Sequence, residues 1–301
     1  MTVAIRTDQL SKHFFRVQAL DGLTLEVPEG AVYALVGPNG AGKTTAIKIM
    51  MNLIAASAGR AEVLGMNSTL IRGRAYEQIG YVSENQEIPE WMKVGALLDY
   101  VREFYPTWDR DLENALVKQF DLPPERKIKA LSRGMKMKLA LASALAFHPK
   151  LIVLDEPFGG LDPLVRDQLI EGLLERAQES TIFISSHDLA EIETFASHIG
   201  YLEEGKLRFS EDINLLSARF REIEITFAVD KTLPASLPPS WLQAKTSGPV
   251  VRFVETQYSE ERTQAEIRQV FGEAEQIVVR PMNLRAIFLA LAKSASGSSE
   301  V

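Results

Sequence analysis

Cysteine is absent from this chain of 301 residues. Without it the protein has no disulfides, no thiolate metal ligands and no cysteine nucleophile, a composition that fits a reducing compartment. Histidine is also scarce, and the four histidines lie too far apart for a metal-ligand spacing: His13, His148, His187 and His198. A metal centre built on these residue types is therefore not expected.

Long hydrophobic runs and an excess of basic residues are missing as well. The longest nearly apolar run, Leu139 to Phe147, is about half of the ~20 residues that span a bilayer, and the N-terminus lacks the pattern of a signal peptide. The formal net charge of −7 argues against a general nucleic-acid binder, because such proteins normally carry a basic excess. We expect a chain that is soluble by itself and binds no nucleic acid.

The composition is that of a globular protein, with 46% hydrophobic and 24% charged residues. This share of apolar residues is ample for a core. The chain is longer than one ordinary domain of ~100 to 200 residues, so two compact units are expected. No internal repeat and no long heptad pattern is present in the sequence.

Changes in hydrophobic patterning divide the chain into predicted domains. Residues 1–220 begin with short antiparallel-like strands and continue with apolar runs such as Leu151 to Leu154, which are typical of strands buried on both faces. Helical spacing over residues 88–148 predicts a helical subdomain inserted into this sheet. Residues 221–293 predict a small accessory α+β domain, and the polar tail, residues 294–301, is expected to be disordered.

The most informative stretch runs from Gly37 to Thr45, between a strand-like run and a helical-looking segment. It fits the phosphate-loop pattern G-x-x-x-x-G-K-[ST]. Glycines let the backbone approach phosphate oxygens, and free amides at a helix start favour an anion. A turn that binds nothing is the weaker alternative, given the flanking strand and helix. The predicted phosphate-binding residues are Gly37, Pro38, Asn39, Gly40, Ala41, Gly42, Lys43, Thr44 and Thr45.

Two acidic residues, Asp155 and Glu156, follow the apolar run Leu151 to Leu154. Open α/β sheets bind ligands at the carboxyl ends of their strands. Asp155 can hold Mg²⁺ through water there, and Glu156 can orient or deprotonate an attacking water. An isolated acidic pair more often belongs to a solvated loop, but its position about a hundred residues after a phosphate loop favours function.

A serine and a glycine open a predicted helix at Leu131-Ser132-Arg133-Gly134-Met135. A hydroxyl, free amides and a positive dipole end at a helix start can bind an anion. Simple N-capping explains the pentapeptide better when it is considered alone.

The order of these pieces resembles an ATP-binding cassette (ABC) ATPase over roughly residues 3–215. The resemblance implies an α/β fold, a P-loop NTPase (ABC ATPase) core with an antiparallel β subdomain and a helical subdomain, plus a small α+β C-terminal domain. Gly37 to Thr45 resembles the family's Walker A loop, Leu131 to Met135 its signature, and Leu151 to Pro157 its Walker B motif. Gly160 to Asp162 resembles the D-loop, and Ser186-His187 resembles the switch histidine.

The resemblance also implies that the chain binds ATP with Mg²⁺ and hydrolyses it, with Glu156 and His187 as catalytic residues. Phe14 resembles the aromatic that stacks on adenine, although Phe15 can take that place or both can belong to the core. In this family two cassettes enclose two ATP molecules, so a second cassette, expected to be a copy of this chain, is a partner. Asp162 would lie at the dimer seam. The signature residues acting in trans would be Ser132, Arg133, Gly134 and Met135.

Two positions depart from the family pattern. Arg133 stands where many members have glycine, and its cation can aid phosphate binding or point to solvent. Glu84 stands where glutamine is usual in the segment that resembles the Q-loop. An ionised glutamate can still ligate Mg²⁺ but cannot donate a hydrogen bond. The predicted magnesium ligands, partly through water, are Thr44, Asp155 and Glu84.

Glu84, the Leu-Ser-Arg-Gly-Met signature and the C-terminal module resemble bacterial subunits that serve ABC-2-type exporters. One Walker A loop and no long coiled coil argue against the translation and chromosome members of the family. The resemblance implies a subunit on the cytoplasmic face of the cell membrane that pairs with a separate transmembrane permease. The region Ile88 to Tyr105, with Trp91 and Met92, would receive it. The alternative is a soluble regulatory or interaction ATPase without a membrane partner.

Overall fold

The computed structural model describes residues 2–84, 86–177 and 179–296, which form two compact units. The first unit extends to Ser210 and the second begins at Glu211. This division lies before helix α6 (Ile213–Arg219), earlier than residue 220, where we placed the boundary. The Arg219 side chain contacts Glu211 and the Thr256 carbonyl oxygen, which ties α6 to the second unit. No helix in the described ranges is both long and apolar enough to cross a membrane.

A six-stranded sheet runs through the first unit. Five of its strands pair in parallel: Ile79–Ser83, Leu151–Asp155, Thr181–Ser186, Val32–Val36 and His198–Glu203. Every residue of the strands Val32–Val36, Leu151–Asp155 and Thr181–Ser186 is buried. Their nearly continuous apolar runs are typical of strands that are buried on both faces of a sheet. In spatial order the strands are β10 (Lys206–Asp212), β9 (His198–Glu203), β3 (Val32–Val36), β8 (Thr181–Ser186), β7 (Leu151–Asp155) and β6 (Ile79–Ser83).

A four-stranded antiparallel sheet forms the second layer of this unit and confirms the predicted antiparallel β subdomain. Ile5 and Val27 from this sheet share one hydrophobic core with Ile47 of helix α1 (Lys43–Met50) and Leu35 of β3. The core therefore lies directly beneath the predicted phosphate loop. In spatial order the strands are β2 (Val17–Pro28), β1 (Val3–Phe14), β4 (Ala58–Val63) and β5 (Met66–Asn67).

The predicted helical subdomain is present between β6 and β7. Asp109 begins its second helix by accepting hydrogen bonds from the amides of Asp111 and Leu112, at 2.8 and 3.0 Å, as expected for an N-cap. The helices here are α2 (Val94–Arg102), α3 (Arg110–Gln119) and α4 (Arg133–Leu145), and α5 (Pro163–Leu174) follows β7. Short 3-10 segments are Ser68–Leu70, Gly73–Gln78, Ile128–Ala130 and Leu189–Glu191.

The second unit is a small α+β domain, as predicted. Trp241 and Phe253 stack with their ring centres 4.0 Å apart, in a core completed by Ile223, Ile267 and Phe271. Its antiparallel sheet has the order β12 (Trp241–Ser247), β13 (Val250–Glu255), β11 (Arg221–Thr226) and β14 (Gln276–Pro281), and its further helices are α7 (Glu260–Phe271) and α8 (Leu284–Ser296).

The C-terminal helix extends further than the sequence analysis suggested. We expected a disordered tail from residue 294, but α8 continues to Ser296. Ala292 and Ala295 favour this continuation, because alanine has the highest intrinsic helix propensity. The rest of the predicted tail, residues 297–301, lies outside the described residues.

Candidate nucleotide-binding site

The predicted phosphate loop joins the end of β3 to the start of α1. Glycine is required at two of its positions. A Cβ on Gly37 would lie 2.0 Å from the carbonyl oxygen of Leu202, and a Cβ on Gly42 would lie 2.3 Å from that of Ala19. Gly42 also has a φ of 108°, a conformation that L side chains rarely adopt. The glycines thus let this loop pack closely against its neighbours.

The amide groups that follow Gly42 begin α1 and lack partners within the helix, as do the first amides of any α-helix. They belong to Lys43, Thr44 and Thr45. The positive end of the helix dipole lies at the same place, which favours a bound anion. The local geometry therefore agrees with the phosphate-binding chemistry that the sequence indicates.

Lys43 is buried, with an exposed fraction of 4%. Its Nζ donates to the carbonyl oxygens of Gly37 at 2.7 Å and Pro38 at 3.2 Å. It also lies 3.0 Å from Oε1 of Glu156. The cation is thus held by its own loop and by the second of the two acidic residues that follow β7.

Glu156 contacts the predicted switch histidine through its other carboxylate oxygen. Oε2 lies 2.7 Å from Nδ1 of His187 and accepts a hydrogen bond from the His187 amide at 3.3 Å. The hydrogen bond and negative charge of Glu156 raise the pKa of His187, against the opposing effects of burial and the Lys43 charge. Glu156 has a φ of 51°, a left-handed conformation that is uncommon outside glycine and is often found at functional sites.

Asp155 and Thr44, two of the predicted magnesium ligands, lie side by side. The Thr44 hydroxyl donates to Oδ1 of Asp155 at 3.0 Å, and the Ser185 hydroxyl donates to the same oxygen at 2.7 Å. Burial raises the pKa of Asp155, while these two hydrogen bonds oppose the change. The neighbouring hydroxyl and carboxylate oxygens are the donor type that Mg²⁺ prefers.

Ser185 is a site residue that the sequence analysis missed. Besides contacting Asp155, its hydroxyl accepts a hydrogen bond from the Glu156 amide at 3.0 Å. Its position follows from parallel pairing, because β7 and β8 place Asp155 opposite Ser185. The sequence did contain one indication of this role, because Ser185 is a polar residue at the end of an otherwise apolar predicted strand.

The predicted signature residues lie at the start of α4. Ser132 caps this helix, with its hydroxyl accepting from the Met135 amide at 3.2 Å. A Cβ on Gly134 would lie 2.9 Å from Cγ1 of Val165, so glycine lets α4 approach α5. Among the described residues, no hydrogen bond or ion pair joins the segment from Ser132 to Met135 to the phosphate loop. The signature and the loop are therefore separate groups within one chain.

The remaining predicted residues occupy exposed ends of elements. Asp162 caps α5 by accepting from the Val165 amide at 3.1 Å. Phe14 and Phe15 are 45% and 98% exposed, so neither belongs to the core. The Phe14 ring lies 4.9 Å from Nζ of Lys12. Stacking of either ring on adenine stays a prediction.

Glu84, the third predicted magnesium ligand, instead lies 3.4 Å from the Arg133 guanidinium. Its side chain is 44% exposed. A metal role for Glu84 stays a prediction. Within the described part of the chain, no group of three or more His, Cys, Asp or Glu side chains forms a metal cluster.

Comparisons with known proteins place this arrangement in a family. Residues 20–159 match the family model described as ABC transporter. The chain is 30% identical to the ABC transporter ATP-binding protein YtrB of Bacillus subtilis (strain 168), over 76% of this chain and 79% of YtrB. It is 33% identical to the bacitracin transport ATP-binding protein BcrA of Bacillus licheniformis, over 69% of each.

A solved structure supports the same assignment. The chain is similar to a protein described as the ATP binding subunit of an ABC transporter, with a TM-score of 0.66 and 26% identity. The match covers 72% of this chain and 92% of that chain.

The contact between His187 and Glu156 predicts a measurable titration. In the native chain the pKa of His187 should exceed its ordinary value of 6.5, and Glu156→Gln should lower it because the attracting charge is removed. The stabilisation of the folded chain by the attraction between protonated His187 and Glu156 is fully present below the pH at which an unfolded histidine titrates. It is lost as the pH rises through the raised pKa of His187. Imidazole chemical shifts followed by NMR from pH 5 to pH 9 would measure this.

Glu171→Gln serves as the control, since Glu171 is exposed on α5 and should leave the His187 titration unchanged. An identical His187 pKa in the native chain and in Glu156→Gln would contradict the contact.

Proposed function

The chain belongs to the ABC transporter family, and on that premise we propose that it binds and hydrolyses ATP to energise a separate transmembrane permease, as part of an exporter. Its place would be the cytoplasmic face of the cell membrane. The single observation that carries the catalytic part is the continuous series of contacts from Lys43 through Glu156 to His187. This series puts a phosphate-binding cation, a general base and its orienting group in direct contact.

Binding of ATP starts at the phosphate loop. The amides at the start of α1 and the Lys43 ammonium bind the phosphate oxygens. A polyanion attracts Lys43 more strongly than one carboxylate does, so the phosphates draw this cation away from Glu156. ATP therefore releases the carboxylate that hydrolysis needs.

The hydrolytic step is an in-line attack of water on the terminal phosphorus. Glu156 orients the water and accepts its proton, the new oxygen–phosphorus bond forms, and the bond to the departing ADP oxygen breaks. His187 holds the Glu156 carboxylate in position and, when protonated, donates toward the terminal phosphate. The raised pKa of His187 increases the protonated fraction near neutral pH.

Magnesium fits the residues beside the loop. Thr44 and Asp155 would hold it, since their oxygens lie 3.0 Å apart at the end of β7, and Glu84 is the third proposed ligand. When bound, the ion neutralises negative charge on the outer phosphates. Asp155 has to be ionised for this purpose, and the hydroxyls of Thr44 and Ser185 favour its ionised form against burial.

A second copy of the chain would complete each site. The signature residues at the start of α4 make no hydrogen bond or ion pair with the phosphate loop within the described residues of one chain, which suits a role in trans. ATP bound by one copy would contact Ser132 and Gly134 of the other, with Asp162 at the seam. Preferential binding of ATP to the closed dimer shifts the equilibrium toward closure, and hydrolysis removes that preference.

A groove on the helical subdomain is the proposed binding site for the permease. It has a volume of about 270 Å³ and lies between the loop that follows β6 and helices α2 and α4. Ile88, Val101 and Tyr105 supply apolar surface in it, and Trp91, two residues after the lining residue Pro89, is 74% exposed. The relation to BcrA, which is named for bacitracin transport, supports a transporter role, and the Glu84 and Leu-Ser-Arg-Gly-Met features support export.

The catalytic assignment is tested with Glu156→Gln. This variant should bind ATP at least as tightly as the native chain, because Glu156 no longer competes for Lys43, and hydrolyse it at least ~100-fold more slowly, because the general base is lost. It should also accumulate closed dimers, seen as a doubled mass by light scattering when MgATP is added. Near-normal turnover in Glu156→Gln would contradict the assigned role.

The permease assignment is tested with Trp91→Ala. The variant should reduce co-purification of a multi-span membrane protein by about tenfold, because an aromatic anchor of an interface is lost, and ATP turnover of the isolated chain should stay unchanged. Leu70→Ala is the control, since Leu70 is 61% exposed and belongs to the 3-10 segment Ser68–Leu70, outside the helical subdomain. Stable association with a soluble partner only, unaffected by Trp91→Ala, would favour the regulatory ATPase instead.

A further inference from the structure

The two departures from the family pattern contact each other. Nη2 of Arg133, in the signature, lies 3.4 Å from Oε1 of Glu84, in the segment that resembles the Q-loop. Their side chains are 54% and 44% exposed, so both stay accessible to a larger ligand. The two residues that depart from the family pattern therefore form an ion pair with each other.

Arg133 also lies against the D-loop. A Cβ on Gly160 would be 3.0 Å from Nη1 of Arg133, and one on Gly159 would be 3.9 Å from Nη2. The guanidinium thus folds back between Glu84 and these two glycines. Its polar contact in this position is the Glu84 carboxylate of the same chain.

The charge pattern at the start of α4 is unusual. The first turn contains no acidic residue and carries Arg133, although cations near a helix N-terminus are unfavourable. Lys136 follows one turn later and lies 2.6 Å from Oε1 of Glu90. Two glutamates from the segment after β6 therefore supply the negative charge that the start of α4 lacks.

We propose that Glu84 is an internal competitor of the ATP phosphate for Arg133. In the nucleotide-free chain Glu84 holds the guanidinium, and on dimer closure Arg133 transfers to the terminal phosphate of the ATP bound by the second copy. This inference rests on the proposed function, since it requires ATP to be sandwiched between two copies. Glu84 and Arg133 then set how much ATP is needed to close the dimer.

Relative strengths decide the direction of the exchange. An exposed carboxylate–guanidinium pair at 3.4 Å is a weak contact that salt screens. A terminal phosphate offers more negative charge and three acceptor oxygens, which an Arg fork binds well. The phosphate therefore displaces Glu84, while Glu84 raises the ATP concentration at which closure occurs.

The test measures the ATP concentration for half-maximal dimer formation, by light scattering, in full-length Glu156→Gln protein with MgATP. Adding Arg133→Met should raise this midpoint at least about tenfold, because a charge-assisted contact to phosphate is lost. Adding Glu84→Gln should instead lower it by about twofold to fivefold. Adding both should give the Arg133→Met value, since Glu84 competes with phosphate through Arg133 and a glutamine at position 84 keeps an oxygen ligand for Mg²⁺.

Two controls separate this role from a general loss of charge or structure. Lys129→Met removes an exposed cation shortly before the signature and should not move the midpoint. Binding of a fluorescent ATP analogue to dilute monomer should be the same with and without Arg133→Met, because Arg133 acts on the ATP of the other copy. A structural role of Arg133 would weaken monomer binding or thermal stability as well.

The outcomes distinguish this inference from the proposed function. An unmoved midpoint in Arg133→Met, or a Glu84→Gln shift of the same size in both backgrounds, would overturn the competition while leaving the ATPase assignment intact. Failure of the Glu156→Gln parent to bind ATP would overturn the proposed function. A parent that binds ATP but stays monomeric would overturn the sandwich, and the competition with it.

Discussion

The buried ion pair between Lys43 and Glu156 is the contact on which the candidate site depends. The two side chains are only 5% and 10% exposed and their charged atoms lie 3.0 Å apart. Burying two charges is costly unless each finds further polar partners. Lys43 finds two carbonyl oxygens of its own loop and Glu156 finds His187. The loop, the end of β7 and the end of β8 are thereby joined into one site.

A common electrostatic relation links this site to the start of α4. In each place a cation assigned to phosphate is held by a carboxylate of the same chain, Lys43 by Glu156 and Arg133 by Glu84. The first pair is buried and fixed by several hydrogen bonds, whereas the second is exposed and weak. In the proposed mechanism ATP displaces a carboxylate at both places, so that ATP binding, release of the general base and dimer closure follow one another.

The sequence allowed the contiguous parts of the site to be predicted, because loop glycines, Lys43 and the Asp155–Glu156 pair each lie within one short stretch. It did not reveal contacts that depend on chain pairing. Ser185 reaches Asp155 only because β7 and β8 lie side by side in register. The Glu84–Arg133 contact joins residues that appeared in the sequence only as two unrelated departures. The division between Ser210 and Glu211 could not be predicted from the sequence, because Arg219 of α6 meets Glu211 and the Thr256 carbonyl oxygen only in the folded chain.

The central claim is that each ATP site is completed by a second copy of the chain, and turnover in mixed dimers tests it most directly. Lys43→Ala protein lacks a working loop and Ser132→Arg protein lacks a working signature, so each alone should hydrolyse almost no ATP. Mixing them should restore turnover, because the mixed dimer contains one intact loop facing one intact signature. A mixture as inactive as its components, in which mixed dimers are nevertheless detected by mass, would contradict the account.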